Sequence, residues 1–381
     1  QGERANGFLC CERPSLEIHR PKPTSWRVSF GHRCWAEIDL DALRGNLAWL
    51  RHRVGAGGSI MTVVKADAYG HGLRQIAALL MQAGTDIFGV ANLNEARDIR
   101  AVGRGWPIVM LGACLPDEVE RAVKDNVMPT LSTIDEARRF SRSAKKLKRT
   151  VSAHVKIDTG MGRLGVAPAH AAELLDTIAR LDNLNAVGLY SHFASAESDA
   201  TFSRRQRSQF NRLVKQLTAA GHNFDHVHMN NSAGLLHEPD SIYNLARPGL
   251  LVYGVLPHGR RRVTAAMKRN LRPALAWSCR VSLVKDIAKG TPLSYGRSFI
   301  APRRMRVATL TAGYGDGYLC SVAGNAKVLI GGKLCPVLGR ITMDQMLVDV
   351  SKIKSAKPGD EAVLIGRQGK QEITAHQLAD W

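Results

Sequence analysis

From residue 58 to about 254 the chain repeats one unit. Short apolar, β-branched runs fall at 60–64, 87–90, 108–111, 127–131, 153–157, 186–190, 225–229 and about 242–246. Between them, apolar residues recur every three or four positions, as at 73–83 and 202–220. Eight runs, each followed by a helical crossover, predict a (β/α)8 barrel, a TIM-like fold of about 200 residues. A doubly wound sheet is the alternative, but it usually closes with fewer strands.

Beyond about 273 the helical spacing fades. Short alternating runs replace it at 279–284, 306–310, 327–330, 334–338, 346–350 and 362–365, with turns such as Gly331-Gly332 and Pro358-Gly359 between them. The expected architecture is an α/β barrel over 34–272 followed by a mainly-β domain over 273–381. Trp35-Ala36-Glu37-Ile38-Asp39-Leu40 precedes the first predicted helix, 43–53, and reads as a strand that joins the β domain. Residues 1–33 are rich in Gly, Arg and Pro and have no period, so they read as a basic, disordered or loosely attached extension. Its apolar piece at 7–11 is shorter than a signal-peptide core of about 7–15 residues.

Composition narrows the class. At 381 residues the chain is long enough to bury a sizeable core. With 45% hydrophobic and 23% charged residues it is not a disordered chain. No run of about 18 apolar residues exists, so no membrane-spanning helix is expected. Cysteines at 10, 11, 34, 114, 279, 320 and 335 form no C-x-x-C pair. That argues against a zinc site or a disulfide framework and for a reducing, cytoplasmic compartment. The formal net charge is +20, with basic clusters at 138–149 and 260–272. Neither cluster interleaves aromatics, and no nucleic-acid motif accompanies them. They read as a solvated basic face that attracts small anions, with neither nucleic acid nor membrane as partner.

The polar residues that could carry chemistry gather at the carboxyl ends of predicted barrel strands, where barrel active sites form. Lys65 ends the first strand. Lys156, Asp158 and Arg163 end or follow the fifth, and His192 follows the sixth. His228, Asn231 and Ser232 follow the seventh, and Arg247 ends the eighth. Lys65 leads into a small-residue loop with glycines at 70 and 72. Partial burial lowers a lysine's pKa, and a neutral amine can attack a carbonyl and hold it as a Schiff base. One lysine by itself is ordinarily exposed; the gathering across five strands is what favours a site.

Two patterns lead elsewhere. Gly160 to Gly165 satisfies G-x-G-x-x-G, but Asp182, near the spacing of a ribose-binding acid, falls in a turn after a helix rather than at a strand end. His222, His226 and His228 have no carboxylate or cysteine at ligand spacing, so no metal is expected.

Val63-Val64-Lys65-Ala66-Asp67-Ala68-Tyr69-Gly70-His71-Gly72 closely resembles the pyridoxal-phosphate lysine motif of bacterial alanine racemases. Other segments resemble the same family in order along the chain. They are Trp35 to Leu40, Asp158-Thr159-Gly160-Met161-Gly162-Arg163-Leu164-Gly165, Ser191-His192-Phe193-Ala194 and His228-Met229-Asn230-Asn231-Ser232-Ala233. Arg247-Pro248-Gly249 with Tyr253-Gly254, Ser294-Tyr295-Gly296, Gly313 to Tyr318 and Gly339 to Gln345 continue the series.

The resemblance implies pyridoxal 5'-phosphate held by Lys65 and a two-base racemisation of L- and D-alanine that supplies D-alanine for peptidoglycan. Lys65 serves one face of the α-carbon. Tyr295, from the β domain of the other subunit of a homodimer, serves the opposite face. His192 and Arg247 resemble a polarising chain, with Arg247 facing the pyridine nitrogen. Tyr69, Ser232 and the amides near Gly249 and Leu250 resemble the phosphate anchor, with Asn231 also at the cofactor. Arg163 and Met343 resemble substrate contacts, Tyr314 and Asp344 shape the way in, and His228 and Lys156 support. In the family Lys156 is often carbamylated and positions Arg163; an unmodified lysine paired with Asp158 accounts for the residues equally. The family continues past Trp381 by a short segment with a tyrosine that touches the cofactor phosphate, so the β domain is expected to be truncated. The alternatives are a serine or broader-specificity racemase on the same scaffold, or a cofactor-carrier protein, which lacks a domain bearing Tyr295 and Met343.

Overall fold

A computed structural model describes residues 31–237, 242–257 and 265–381. Among these, eight parallel strands form the barrel: β2 (Ser59–Val63), β3 (Ile87–Val90), β4 (Ile108–Met110), β5 (Met128–Leu131), β6 (Val151–Lys156), β7 (Leu184–Tyr190), β8 (His226–His228) and β9 (Leu245–Ala246). They follow a first strand, β1 (Cys34–Ile38), and the helix Leu40–Val54. The ladder runs β8-β7-β6-β5-β4-β3-β2-β9. Its two ends meet where the Asn244 N–H donates to the Val227 carbonyl at 3.1 Å and the Arg247 N–H to the Asn230 carbonyl at 2.9 Å.

Alternation along the strands builds two layers, because successive side chains point to opposite faces. Met61, Ile87, Val109 and Leu245 pack one apolar layer. Ile60, Phe88, Val90, Met110, Ala153 and Val155 face outward into the larger core under the helices. The helix Leu73–Ala83 buries Leu73, Ile76, Ala77 and Leu80 against that layer and stops at Gly84, whose φ of 96° is left-handed. Helix Ile134–Lys146 starts at a reciprocal cap between Thr133 and Glu136.

The carboxyl-terminal half is antiparallel. It contains β10 (Leu275–Ile287), β11 (Pro292–Leu293), β12 (Phe299–Ile300), β13 (Met305–Leu310), β14 (Lys327–Ile330), β15 (Lys333–Leu338), β16 (Met346–Asp349), β17 (Glu361–Gln368) and β18 (Gln371–Ile373). Its sheet is ordered β1-β10-β13-β16-β15-β14-β17-β18, and β10 also pairs with β17. The sheet wraps a core of Cys279, Val281, Ala308, Leu310, Val328, Val348 and Leu364. β11 and β12 form a separate two-stranded ribbon whose connecting loop carries Tyr295.

The run at 279–284 is the middle of a 13-residue strand. Its flanks do not alternate: Leu275-Ala276-Trp277 is a continuous apolar run and Lys285-Asp286 a polar pair, which hides both from a periodicity reading. The helix Ala375–Asp380 was not expected at all; it opens on a cap between Thr374 and Gln377. Of the amino-terminal extension, residues 1–30 lie outside the described residues. No helix among the described residues is long and apolar enough to cross a membrane.

Candidate active site

Lys65 lies two residues beyond the end of β2, half-buried, where the backbone changes hand. Ala66, Asp67, Ala68 and Tyr69 have φ of 53°, 53°, 54° and 55°. Four consecutive L-residues in this region are costly, about 1–2 kcal/mol each. Carboxylates hold the turn in place. Glu95 accepts from the N–H of Ala66 and of Ala91, both at 2.7 Å. Asp67 accepts from the Leu73 N–H at 2.7 Å, capping the next helix. The reversed turn carries the Tyr69 ring back to within 5.0 Å of the Tyr253 ring and its hydroxyl against Gly249. A Cβ at 249 would come within 2.5 Å of that hydroxyl, so only glycine lets the two segments approach. Beside them the Ser232 hydroxyl accepts from the Gly249 and Leu251 N–H groups at 3.0 and 3.3 Å.

Arg247 follows β9 and is buried. It donates to His228 Nδ1 at 2.6 Å, to His192 Nδ1 at 3.1 Å, and to the carbonyls of Ser191 and Met229 at 2.8 and 3.1 Å. Burial lowers its pKa to about 10, which still leaves a cation at neutral pH. An arginine can only donate, so both histidines must accept at Nδ1 and carry their proton on Nε2. His228 then donates from Nε2 to His154 Nδ1 at 2.8 Å. His154 in turn holds its proton on Nε2, a buried atom with no partner among the described residues. Burial, and secondarily neighbouring positive charge, keeps all three imidazoles neutral: His192 and His228 titrate well below the usual range, and His154 at about 3. His192 therefore offers the cavity an N–H donor, not a charge.

Tyr190 completes the floor. Its ring stacks on His228 with centroids 4.7 Å apart, and Arg247 lies over it at 5.1 Å. Its hydroxyl is 2.7 Å from that of Thr130, which donates to the Met110 carbonyl, so Tyr190 is the donor to Thr130.

These groups surround one cavity of about 400 Å³. Lys65, Tyr69, Lys156, Arg163, His192, Asn231, Ser232, Arg247, Gly249 and Leu250 all line it, so the structure gathers most of the residues expected from sequence into one place. Lys156 is buried, and burial with the nearby Arg163, Arg247 and Lys65 lowers its pKa to about 8. The expected partner Asp158 is otherwise engaged: its carboxylate accepts from the N–H groups of Gly160, Met161 and Gly162 at 2.9–3.1 Å. This loop, pinned at its base by the Ile157–Val166 bridge, presents the exposed Arg163 at the cavity edge. The histidines considered for a metal are engaged separately, His222 with Asp176 at 3.1 Å and His226 stacked on His154.

Tyr295, Tyr314, Met343 and Asp344 are absent from the cavity walls and exposed. Their loops interlock. The Tyr314 N–H donates to the Thr342 carbonyl at 3.0 Å, the Gly315 N–H to the Met343 carbonyl at 2.8 Å, and the Ser294 hydroxyl to the Arg340 carbonyl at 2.7 Å.

Sequence reasoning missed His154, Tyr190, Thr130 and Glu197, the last a carboxylate on the cavity wall. The first two were read as parts of apolar runs. The available signal was the two-residue period: His154 shares its strand face with Lys156.

A barrel with a lysine, a buried arginine and the Tyr69–Ser232–Gly249 cluster at the carboxyl ends of its strands, joined to an antiparallel domain, has the layout of a barrel enzyme with its site at the strand ends. Comparison with known proteins gives the family. The model "Alanine racemase, N-terminal domain" matches residues 38–257, and "Alanine racemase, C-terminal domain" matches 274–381. The alanine racemase of Syntrophobacter fumaroxidans is 39% identical over 346 residues, covering 91% of each chain. The solved alanine racemase of Clostridium difficile 630 superposes with a TM-score of 0.85 at 32% identity, covering 92% of this chain and 91% of that one. That of Bartonella henselae, solved with covalently bound pyridoxal phosphate, gives a TM-score of 0.82 at 27% identity over 92% and 94%. The chain belongs to the alanine racemase family.

Proposed function

We propose that this chain interconverts L- and D-alanine with pyridoxal phosphate, as a cytoplasmic homodimer that supplies D-alanine for peptidoglycan. The observation that carries the proposal is the cavity itself, with Lys65 and Arg247 on its wall and the Tyr69–Ser232–Gly249 cradle beside them. The residues present fit the cofactor. Among the described residues four cations and one carboxylate line the cavity, which suits a phosphate-bearing anion. At position 249 no side chain holds the Tyr69 hydroxyl away from the backbone.

Lys65 would hold the cofactor covalently; Tyr69, Ser232 and the amides of Gly249 and Leu250 would hold its phosphate, with Asn231 alongside. Arg247 would face the pyridine nitrogen and, staying protonated, would leave it without a proton. When bound, pyridoxal phosphate supplies an electron sink for the carbanion left when an α-proton departs.

The chain's own groups do the rest. The Lys65 amine takes or returns a proton at one face of the α-carbon. The Tyr295 phenol does so at the other, reaching the cavity from a second copy of the chain. His192 Nε2–H is a donor placed to stabilise a phenolate oxygen in that position, held in its tautomer by Arg247. Arg163 would grip the substrate carboxylate with its fork of donors, and Met343 would touch the substrate from the partner, with Tyr314 and Asp344 lining its way in. Lys156, neutral at mildly alkaline pH and surrounded by cations, is suited to capture carbon dioxide as a carbamate, an anion that would position Arg163.

The test is the appearance of D-alanine from L-alanine, assayed beside serine and a panel of other amino acids. Equal rates across the panel would replace the alanine reading with the broad-specificity one. No turnover of any amino acid, with cofactor bound, would favour a carrier.

A further inference from the structure

β1 and β10 are the segments by which the chain leaves the antiparallel half for the barrel and returns to it. They lie side by side. Ile38 is opposite Leu275 next to the barrel, and Cys34 is opposite Cys279 further out. The Arg280 N–H donates to the Arg33 carbonyl at 3.0 Å. In an antiparallel ladder, a bond between the residues flanking a pair makes that pair a non-hydrogen-bonded one. At such sites the Cα atoms approach to about 4.5 Å and the side chains stand closest. Directly opposite side chains also share a face. Here that face is the core: Cys279 is fully buried within it, and Cys34 packs at its edge, half-buried. A disulfide tolerates Cα separations of about 4.4–6.8 Å, so the register position suits one. Both cysteines are free thiols.

We propose that Cys34 and Cys279 are an oxidisable pair, converted to a cross-strand disulfide by exchange with a low-molecular-weight disulfide such as oxidised glutathione. Cys34, the more accessible thiol, loses its proton to solvent. Its sulfur attacks one sulfur of the oxidant and the other leaves as a thiolate. Cys279 then loses its proton and attacks the Cys34 sulfur, expelling the second small thiolate. Two protein thiols lose two protons and two electrons, and one small disulfide becomes two small thiols.

The Trp277 indole N–H, 3.1 Å from the Cys34 sulfur, stabilises the attacking thiolate, while burial raises both thiols and makes the exchange slow. The bond would fasten the two crossings to each other and fix how the halves are joined.

The experiment incubates the intact protein with oxidised glutathione at mildly alkaline pH. The expected product has lost two hydrogens and yields a peptide linking Cys34 to Cys279. Its unfolding midpoint rises by about 5–10 °C and returns on reduction with dithiothreitol. Cys34→Ala, a change at the edge of the core, abolishes both effects; Cys279→Ala does the same if it folds. A product carrying only glutathione adducts, such as on the exposed Cys320, would overturn the proposal, as would a bond between any other two cysteines.

Discussion

Arg247 is 3% exposed and makes four hydrogen bonds; Tyr295, on the β11–β12 ribbon, is 71% exposed. The two halves of the molecule carry their polar chemistry in opposite ways. In the barrel each group's state follows from its neighbour's: the arginine sets the tautomer of His228, and His228 sets that of His154. In the antiparallel half the loops are pinned to one another through backbone, but the side chains at their tips face outward. The first arrangement is preorganised, with geometry settled before a ligand arrives. The second holds its side chains exposed at the tips of loops that are bonded to one another.

Removing the lysine should have the largest effect. Lys65→Ala is expected to lower D-alanine formation by at least about 10⁴-fold, and borohydride should no longer fix cofactor to the chain. If reduction labels another lysine, Lys65 is not the residue that holds the cofactor. Tyr295→Phe should cost about 10²–10⁴-fold while α-proton exchange into D-alanine from heavy water persists, seen by proton NMR. Mixed with Lys65→Ala chains, it should recover about a quarter of wild-type activity, since half the dimers of a two-fold assembly hold one intact site of two. No recovery despite demonstrated subunit exchange would mean that the exposed half serves its own barrel.

The buried half gives smaller effects, read as stability. His154→Phe leaves the His228 Nε2–H without an acceptor and should cost about 1–3 kcal/mol in urea unfolding. The acid side gives a second reading. A histidine kept neutral in the fold binds a proton only when unfolded, so its contribution is intact above about pH 6.5. It is lost as pH falls towards the folded value of about 3 for His154, at about 1.4 kcal/mol per pH unit for each such group. The variant should therefore lose stability less steeply over this window than the wild type; an unchanged slope would show that His154 is not held neutral. Gly188→Ala adds a single methyl group. Its Cβ would overlap the His154 ring, with an expected cost of about 1–3 kcal/mol by overpacking and a shifted His228 signal in nitrogen-15 NMR.

The same contrast explains what the sequence discloses. The barrel was legible because its strands repeat with crossovers between them. Lys65, His192 and Arg247 were legible because strand ends are where polar residues interrupt apolar runs. His154 was not, because one imidazole inside an apolar run does not break the pattern. The turn at 66–69 was not legible either. Of Ala-Asp-Ala-Tyr only the aspartate tolerates the left-handed region at all readily; Glu95, some thirty residues on, supplies the restraint. Tyr295 stood out as a motif, but nothing within one chain says what its exposed ring meets.

That turn has a consequence in the language of chirality. Its backbone dihedrals are the mirror image of an ordinary helix, and they suit D-residues as the right-handed helix suits L-residues. A chain assembled by chemical ligation with D-alanine at positions 66 and 68 would be relieved of strain at the residues next to Lys65. In this molecule, the isomer ascribed to the product is also the isomer that two positions beside the lysine would accommodate best.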